Sequence, residues 1–299
     1  MLEKITENLL LVTGKNNGRF PFSHSVLILC ESSKAVLVDT GCGLNILKKI
    51  REKFNIVSII NSHTHPDHSA GNWLFQKNDC PIYVPEEGFE TSGNIAALSR
   101  RFVEPGWLAN YWRNYIVENL GLKDCRPIHR YNSKSKFDFG EICFVPIYTP
   151  GHTVDHYCLY EPQKGILLSF DYDLTSFGPW YGHRESSITE FKCSIDKLID
   201  LNPNIVVSGH KGIITGDIVE QLLKFREKFD ERDRIILELL EKGSKTIDQL
   251  VEKAPIYGSF PYAEPLLKYF EGQMIKKHLV ELEKRGKTIK RESSKWGLA

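Results

Sequence analysis

With 299 residues, 41% hydrophobic and 26% charged, the chain has ordinary globular composition and enough length for one large domain with a small appendage. A formal net charge of +1 gives no overall attraction to polyanions, so any nucleic-acid contact must come from local charge. Seven scattered cysteines without a CxxC pair exclude a disulfide framework and point to reduced thiols in a cytoplasmic protein, and neither the acidic start MLEKITENLLLV nor any later segment reads as a signal peptide or membrane span.

In chain order, apolar runs at 25–30 and 35–39 flank a turn at 31–34 and predict an antiparallel hairpin. Asp39 closes the second run, either as a turn former or as a carboxylate that orients a metal-bound histidine. Leu44, Leu47, Ile50 and Phe54 follow helical spacing, so 43–54 is a helix. It leads into the stretch 56–71, IVSIINSHTHPDHSAG, around which the chain is organised. There an apolar strand stops at His63, His65, Asp67 and His68, residues with little use in a core. Alternate residues of an extended chain point the same way, so His63 and His65 can meet at one point while Asp67 and His68 turn toward an adjacent one. That pattern suits two divalent metal ions: imidazole with carboxylate is typical of zinc, and iron and manganese accept similar sets. A polar turn bent at Pro66 explains the proline but not the histidines.

A short helix is expected over 69–76 and a strand over 81–84. Residues 86–120 carry Phe89, Phe102, Trp107, Tyr111, Trp112 and Tyr115 in helical context broken at Pro105 and Gly106. Two readings stand: a helical pair packing its aromatics inward, or a lid or pocket wall for an apolar substrate. Strands follow near 126–131, 142–148, 156–160 and 166–170, and the tight turn TPGHT places His152 at a strand end. Asp171 ends the run GILLSF and His210 ends NIVVSG, so four separate strands terminate in a candidate ligand. Ser187 and Glu190 form a capping-box pattern before a helix whose apolar face is Ile188, Phe191, Ile195, Leu198 and Ile199.

With HTHPDH at 63–68 and then His152, Asp171 and His210, residues 1–225 resemble the metallo-β-lactamase superfamily. The resemblance implies an α/β fold, a four-layer αββα sandwich with metals on loops at one edge. His63, His65 and His152 would be the ligands of a first metal, Asp67, His68 and His210 those of a second, and Asp171 the bridging carboxylate. True lactamases of this superfamily use a cysteine where Asp171 stands, so antibiotic hydrolysis is not expected. Two cations sharing a water supply hydroxide near neutral pH, with Asp67 as the catalytic carboxylate that orients it and takes its proton. A thiolate leaves without a strong general acid, whereas an alkoxide or amide needs one. Tyr181 and His183, in GPWYGHRE, are the candidate acids, with polar surface-loop residues as the alternative; His24 and His156 read as supporting residues.

From about Phe229 the pattern changes to helices marked by Ile235, Ile236, Leu239 and Leu240, by 247–251, and by Leu267, Phe270, Met274, Leu279 and Leu282, followed by a strand-like tail. This looks like a winged helix, similar to the C-terminal module of lactamase-beta-like endoribonucleases. The expected division is thus a catalytic domain over 1–228, with an aromatic helical insertion at 86–120, and a winged-helix-like domain over 229–299. Residues 276–299 hold eight basic side chains against three acidic ones, enough to contact phosphates, although a solvated face or a contact shaping the site's mouth explains them too. The functional expectation is a binuclear hydrolase of a small ester, thioester or lactone. The alternatives are a phosphodiesterase or endoribonuclease acting on single-stranded RNA and, from another class, a metal-sensing DNA-binding regulator.

Overall fold

Most strands read as continuous apolar runs because both of their faces are covered, which hides the alternation that a half-exposed strand would show. The computed structural model describes residues 1–76, 80–126 and 129–299. Its first sheet has seven strands in chain order: β1 (Leu2–Thr6), β2 (Leu9–Val12), β3 (Ser25–Leu29), β4 (Lys34–Val38), β5 (Asn55–Ile60), β6 (Ile82–Pro85) and β7 (His129–Tyr131). Pairing is antiparallel as far as β4 and parallel from β4 to β7. The second sheet holds β8 (Phe137–Asp138), β9 (Cys143–Tyr148), β10 (Tyr157–Glu161), β11 (Ile166–Phe170), β12 (Ile205–Ser208) and β13 (Gly212–Ile214) in reverse spatial order, with one parallel pair, β11 with β12.

Alternate residues separate the layers. Val26, Ile28, Val36, Val38 and Ile60 of the first sheet pack against Phe144, Leu159, Ile166, Leu168 and Val207 of the second. Their neighbours Leu27, Ala35, Leu37 and Ile59 turn outward to Leu47 and Ile50 of α1 (Leu44–Lys53). On the far side Cys158, Leu167 and Val206 meet Phe191, Ile195 and Leu198 of α5 (Ile188–Leu201) and Leu222, Phe225 and Phe229 of α6 (Ile218–Glu241). The order is therefore helix, sheet, sheet, helix, as expected. Ser187 caps α5, its hydroxyl accepting the Glu190 backbone N–H.

Several elements differ from expectation. The start MLEKITENLLLV, read only for what it is not, forms the β1–β2 hairpin at the sheet edge. The helix expected over 69–76 is split into the single turn α2 (Pro66–Ser69), which starts early because proline fits a first helical position where no N–H is needed, and a 3-10 turn at Asn72–Leu74. Of the strand expected near 126–131, residues 127 and 128 lie outside the described residues, and 129–131 form β7. The helix expected after Phe229 is the second half of α6, whose buried face runs through Ile218, Leu222, Phe225 and Phe229, then Arg232 and Asp233, then Ile236 and Leu240. Helix α6 thus crosses the division expected at 228 and 229. Beyond it, α7 (Ile247–Val251), α8 (Glu264–Lys284) and the hairpin β14 (Thr288–Lys290) and β15 (Trp296–Leu298) close over a separate small core of Ile236, Leu240, Leu250, Ile275, Leu279, Leu282 and Trp296.

Leu168 is fully buried between the sheets. Leu168→Ala is expected to lower unfolding free energy by about 2–5 kcal/mol, read as a shifted urea midpoint with an unchanged slope.

Candidate metal centre

Five loops leave strand ends at one edge of the sandwich and converge. Two of the exits are strained: Asp39 after β4 has φ 59° and Phe170, immediately before Asp171, has φ 50°. Such left-handed backbone at non-glycine residues persists where surrounding contacts fix it, and here both residues serve the aiming of side chains. Glycine is required at Gly151 of the TPGHT turn, which has φ 127° and whose Cβ would stand 2.3 Å from the Phe191 nitrogen.

All seven sequence-predicted residues meet there, in two groups. His63, His65, His152 and Asp171 form one, and Asp67, His68, Asp171 and His210 the other, with one ligand atom of each residue within 4.8 Å of the others in its group. Asp171 belongs to both. Its Oδ2 lies 2.9 Å from His152 Nε2, 3.6 Å from His63 Nε2 and 3.8 Å from His65 Nδ1, while its Oδ1 lies 2.7 Å from His68 Nε2 and 3.3 Å from His210 Nε2. Asp67 Oδ2 completes the second group at 3.5 Å from His210 Nε2.

The far nitrogens are held. His152 Nδ1 donates to the Trp180 carbonyl at 2.8 Å and His210 Nδ1 to the Gly18 carbonyl at 2.7 Å. Asp39, fully buried, receives His68 Nδ1 at 2.7 Å, the Ser62 backbone N–H and the Ser62 hydroxyl, and that hydroxyl in turn accepts from His63 Nδ1 at 2.9 Å. These bonds fix the ring orientations and turn Nε2 of each of the four rings inward. Of the two readings of Asp39, the structure selects orientation of histidines. Ser62 escaped the sequence reading, although its place between a strand end and His63 was a usable signal.

Three of the inward atoms lack partners. His63 Nε2, His68 Nε2 and Asp171 Oδ1 are buried with no well-formed hydrogen bond among the described residues. An unsatisfied polar atom in a protein interior is costly, and four in-turned imidazole nitrogens around a shared carboxylate are the donor set a divalent cation satisfies. The electrostatics agree. Burial, then the neighbouring imidazoles, pushes His63 and His65 down, leaving their lone pairs free. Burial also opposes charge on His68 and His210, but Asp171 with Asp39 lifts His68 well above its ordinary value, and Asp171 with Asp67 raises His210 to about 9. Asp171 itself is held far below the usual carboxylate range, against its burial, by His68, His152 and His210. The field at the second group therefore favours positive charge.

Helices α3 (Ile95–Phe102) and α4 (Gly106–Leu120) are tied to the ligand loop through Arg101, which bonds Asp155 at 2.8 Å and Thr64 Oγ1 at 3.1 Å, while Asp155 accepts the Thr64 N–H. Phe102 and Trp112 are buried, whereas Trp107 is 63% exposed, so the aromatics divide between core and surface. Trp112, Tyr115 and Ile116 line a cavity of about 900 Å³ beside the seven residues, together with Tyr257, Tyr262, Leu266, Leu267 and Phe270 from the C-terminal segment. Of the aromatics in 86–120, Phe102 and Trp112 thus pack inward, and Trp112 with Tyr115 also lines the cavity. Tyr181 and His183 are buried rather than on a surface loop. His183 reaches the cavity, stacked on Phe102 at 4.0 Å, and is pushed well below its ordinary pKa by burial and by His65. Tyr181 does not line the cavity; its hydroxyl accepts from Arg232 and donates to His278 Nε2, whose Nδ1 donates to Asp233. His156 accepts from the Asp171 backbone N–H, and His24 accepts from the Gly14 N–H.

That buried network binds the C-terminal helices to the centre. Arg232 also donates to the carbonyls of Phe177 and Pro179, each at 2.6 Å, and Trp180 Nε1 donates to Tyr257 Oη at 2.6 Å. The Trp180 carbonyl is the group that orients His152. Sequence reasoning missed this brace, yet a charged pair, Arg232 and Asp233, interrupting the apolar face of α6 was its signal.

The Metallo-beta-lactamase superfamily model matches residues 19–210. The chain is 24% identical to a beta-lactamase-like protein 2 homolog of Caenorhabditis elegans, over 93% of this chain and 86% of that one. It is 22% identical to an atrochrysone carboxyl ACP thioesterase of Passalora fulva, over 99% of this chain and 82% of that one. In fold it is similar to a metallo-beta-lactamase family protein of Thermus thermophilus, with a TM-score of 0.76 and 21% identity over 99% of this chain and 100% of that one.

Asp39→Asn is expected to weaken metal binding by about 10- to 100-fold, read by competition with a chromogenic chelator. Arg232→Met, remote from all seven residues, is expected to cost about 1–3 kcal/mol of stability through its orphaned carbonyls and to loosen metal binding through His152, read by urea melts and metal content after dialysis.

Proposed function

The chain belongs to the metallo-β-lactamase superfamily, and from that premise we propose that it is a binuclear metal-dependent hydrolase of a small ester, thioester or lactone. The observation that carries this reading is the enclosure of the ligand residues beneath an aromatic cavity of about 900 Å³, a size suited to a small molecule. His63, His65 and His152 would hold one cation and Asp67, His68 and His210 the other, with Asp171 shared and zinc, iron or manganese as the candidates. When bound, such cations polarise a substrate oxygen and lower the pKa of a coordinated water to about 7.

The chain's own groups do the rest. Asp67 lines the cavity and is placed to orient the attacking water and take its proton. Trp112, Ile116, Leu266 and Phe270 hold the apolar part of the substrate and exclude bulk water. Tyr181 is committed to Arg232 and His278 and is withdrawn from acid catalysis. His183 reaches the cavity but is pushed well below its ordinary pKa by burial and so carries no acidic proton near neutral pH. That favours a leaving group needing no strong proton donor, and a thiolate, with a parent pKa of about 8.5, ranks first.

The second reading, cleavage of single-stranded RNA, draws on the eight basic residues of 276–299. None of these lines the cavity, and a single strand needs an open cationic track with stacking platforms leading to the metals. In the favoured reading 1–228 carries the chemistry, and the winged-helix-like 229–299 acts as brace and pocket wall.

One metal-loaded preparation assayed on a thioester, a lactone and a single-stranded RNA is expected to cleave an acyl substrate and leave the RNA intact, with Asp67→Ala slower by at least about 100-fold. RNA cleavage that depends on Asp67, without acyl turnover, would reverse the ranking.

A further inference from the structure

The cavity has two unlike sides. Beside the first ligand group, Trp180 lies 5.9 Å from His65 and 5.3 Å from Phe270 between ring centres, and the wall continues through Trp112, Ile116, Leu266 and Leu267. This side is apolar. Beside the second group stand Arg19 and Lys211, one following the Gly18 carbonyl that holds His210 and the other following His210 itself. The same edge continues onto α6 with Gln221, Lys224 and Lys228, and Phe20 and Phe225 lie among these polar groups.

The charges on this edge are not equally free. Lys224 is paired with Glu220 and Lys228 with Glu231, each at 2.6 Å. Arg19 forms no ion pair among the described residues, and Lys211 Nζ donates only to the Leu174 carbonyl, at 2.9 Å. The carboxylates lining the cavity are Asp67 and Asp171 on its floor and Asp173, whose Oδ1 is tied to Thr175. Two free cations at the rim, without a carboxylate of their own, face whatever arm of the substrate leaves the metal floor on that side.

We propose that the substrate is an acyl thioester whose thiol arm carries phosphate, with the acyl group on the α4–α8 wall and the phosphate at Arg19 and Lys211. This rests on the reading of the site as an acyl hydrolase and adds its substrate class. An alkyl or aryl chain loses water against the aromatic wall, whereas a phosphate keeps strong donors only at the cationic edge. A thioester carbonyl over the ligand floor sends its two arms to opposite sides, and hydrolysis adds water across the acyl–sulfur bond: the acid leaves by one side and the phosphate-bearing thiol by the other. The arm has two sources, coenzyme A and the phosphopantetheine of a carrier protein.

The test is calorimetric titration of the metal-loaded protein with uncleavable thioether analogues: one acyl group on coenzyme A, on a phosphopantetheinylated carrier protein, and on uncharged N-acetylcysteamine. A phosphate-bearing analogue is expected to bind at least about tenfold tighter than the uncharged one, with the advantage shrinking as salt rises. Arg19→Gln with Lys211→Gln should collapse that ratio, and Lys224→Glu, a charge reversal on the exposed face of α6, should reduce it without touching the core. Whichever phosphate-bearing form binds tighter identifies the source. Equal binding of charged and uncharged analogues, with turnover of an uncharged thioester, overturns this proposal and leaves the acyl-hydrolase reading standing. No turnover of any thioester overturns that reading and this proposal together.

Discussion

A single buried carboxylate, shared by five inward-facing imidazoles, is the constraint on which the molecule depends. Asp171 is held ionised against its burial by the imidazoles around it, and the imidazoles can stay buried only because each has a fixed outer partner or a charge to face. The sandwich delivers these groups cheaply. Strands covered on both faces need no polar residues along their length, so polar side chains gather where the strands end, and parallel pairing of β4 with β5 and of β11 with β12 puts those ends at one edge. The strain at Asp39 and Phe170 is the local cost of turning side chains from strand direction toward the shared centre.

The C-terminal helices are part of the same constraint. Arg232 closes the carbonyls of Phe177 and Pro179, Tyr257 receives Trp180, and the Trp180 carbonyl sets the ring of His152. Those residues leave the metal-binding chemistry to the sandwich but decide how firmly one ligand is aimed. They also supply the apolar wall, since Leu266 and Phe270 of α8 pack with Trp112 and Ile116 of α4 in one cluster that lines the cavity. An insertion at 86–120 and an appendage after Glu241, far apart in sequence, thus make one pocket.

Much of the centre was legible because its determinants are local. HTHPDH packs four ligand candidates into six positions, and His152, Asp171 and His210 each follow an apolar run that ends abruptly. The helices α1 and α5 announced themselves by 3.6-residue spacing and by Ser187 at the cap. Less was visible where the relevant contact lies far along the chain. The roles of Tyr181 and His183 were open from sequence, and the structure buries both, one in the Arg232 network and one against Phe102. The length of α6 was obscured because Arg232 and Asp233, charged residues on its buried face, look like a change of pattern when their partners Phe177, Pro179, Tyr181 and His278 are not in view.

Strand and helix periodicity and clustered histidines are short-range properties of a chain, so the layered α/β fold, the candidate metal ligands and the order in which they arrive can be read without any tertiary contact in view. Three things emerge only from the packed molecule: Asp171 presents one oxygen to each group, Asp39 and Ser62 aim two histidines together, and α4 with α8 walls one part of the cavity with apolar side chains while Arg19 and Lys211 stand beside the second group. Those are relations between residues tens to hundreds of positions apart, set by the packing of whole layers, and no local pattern encodes a distance across a cavity.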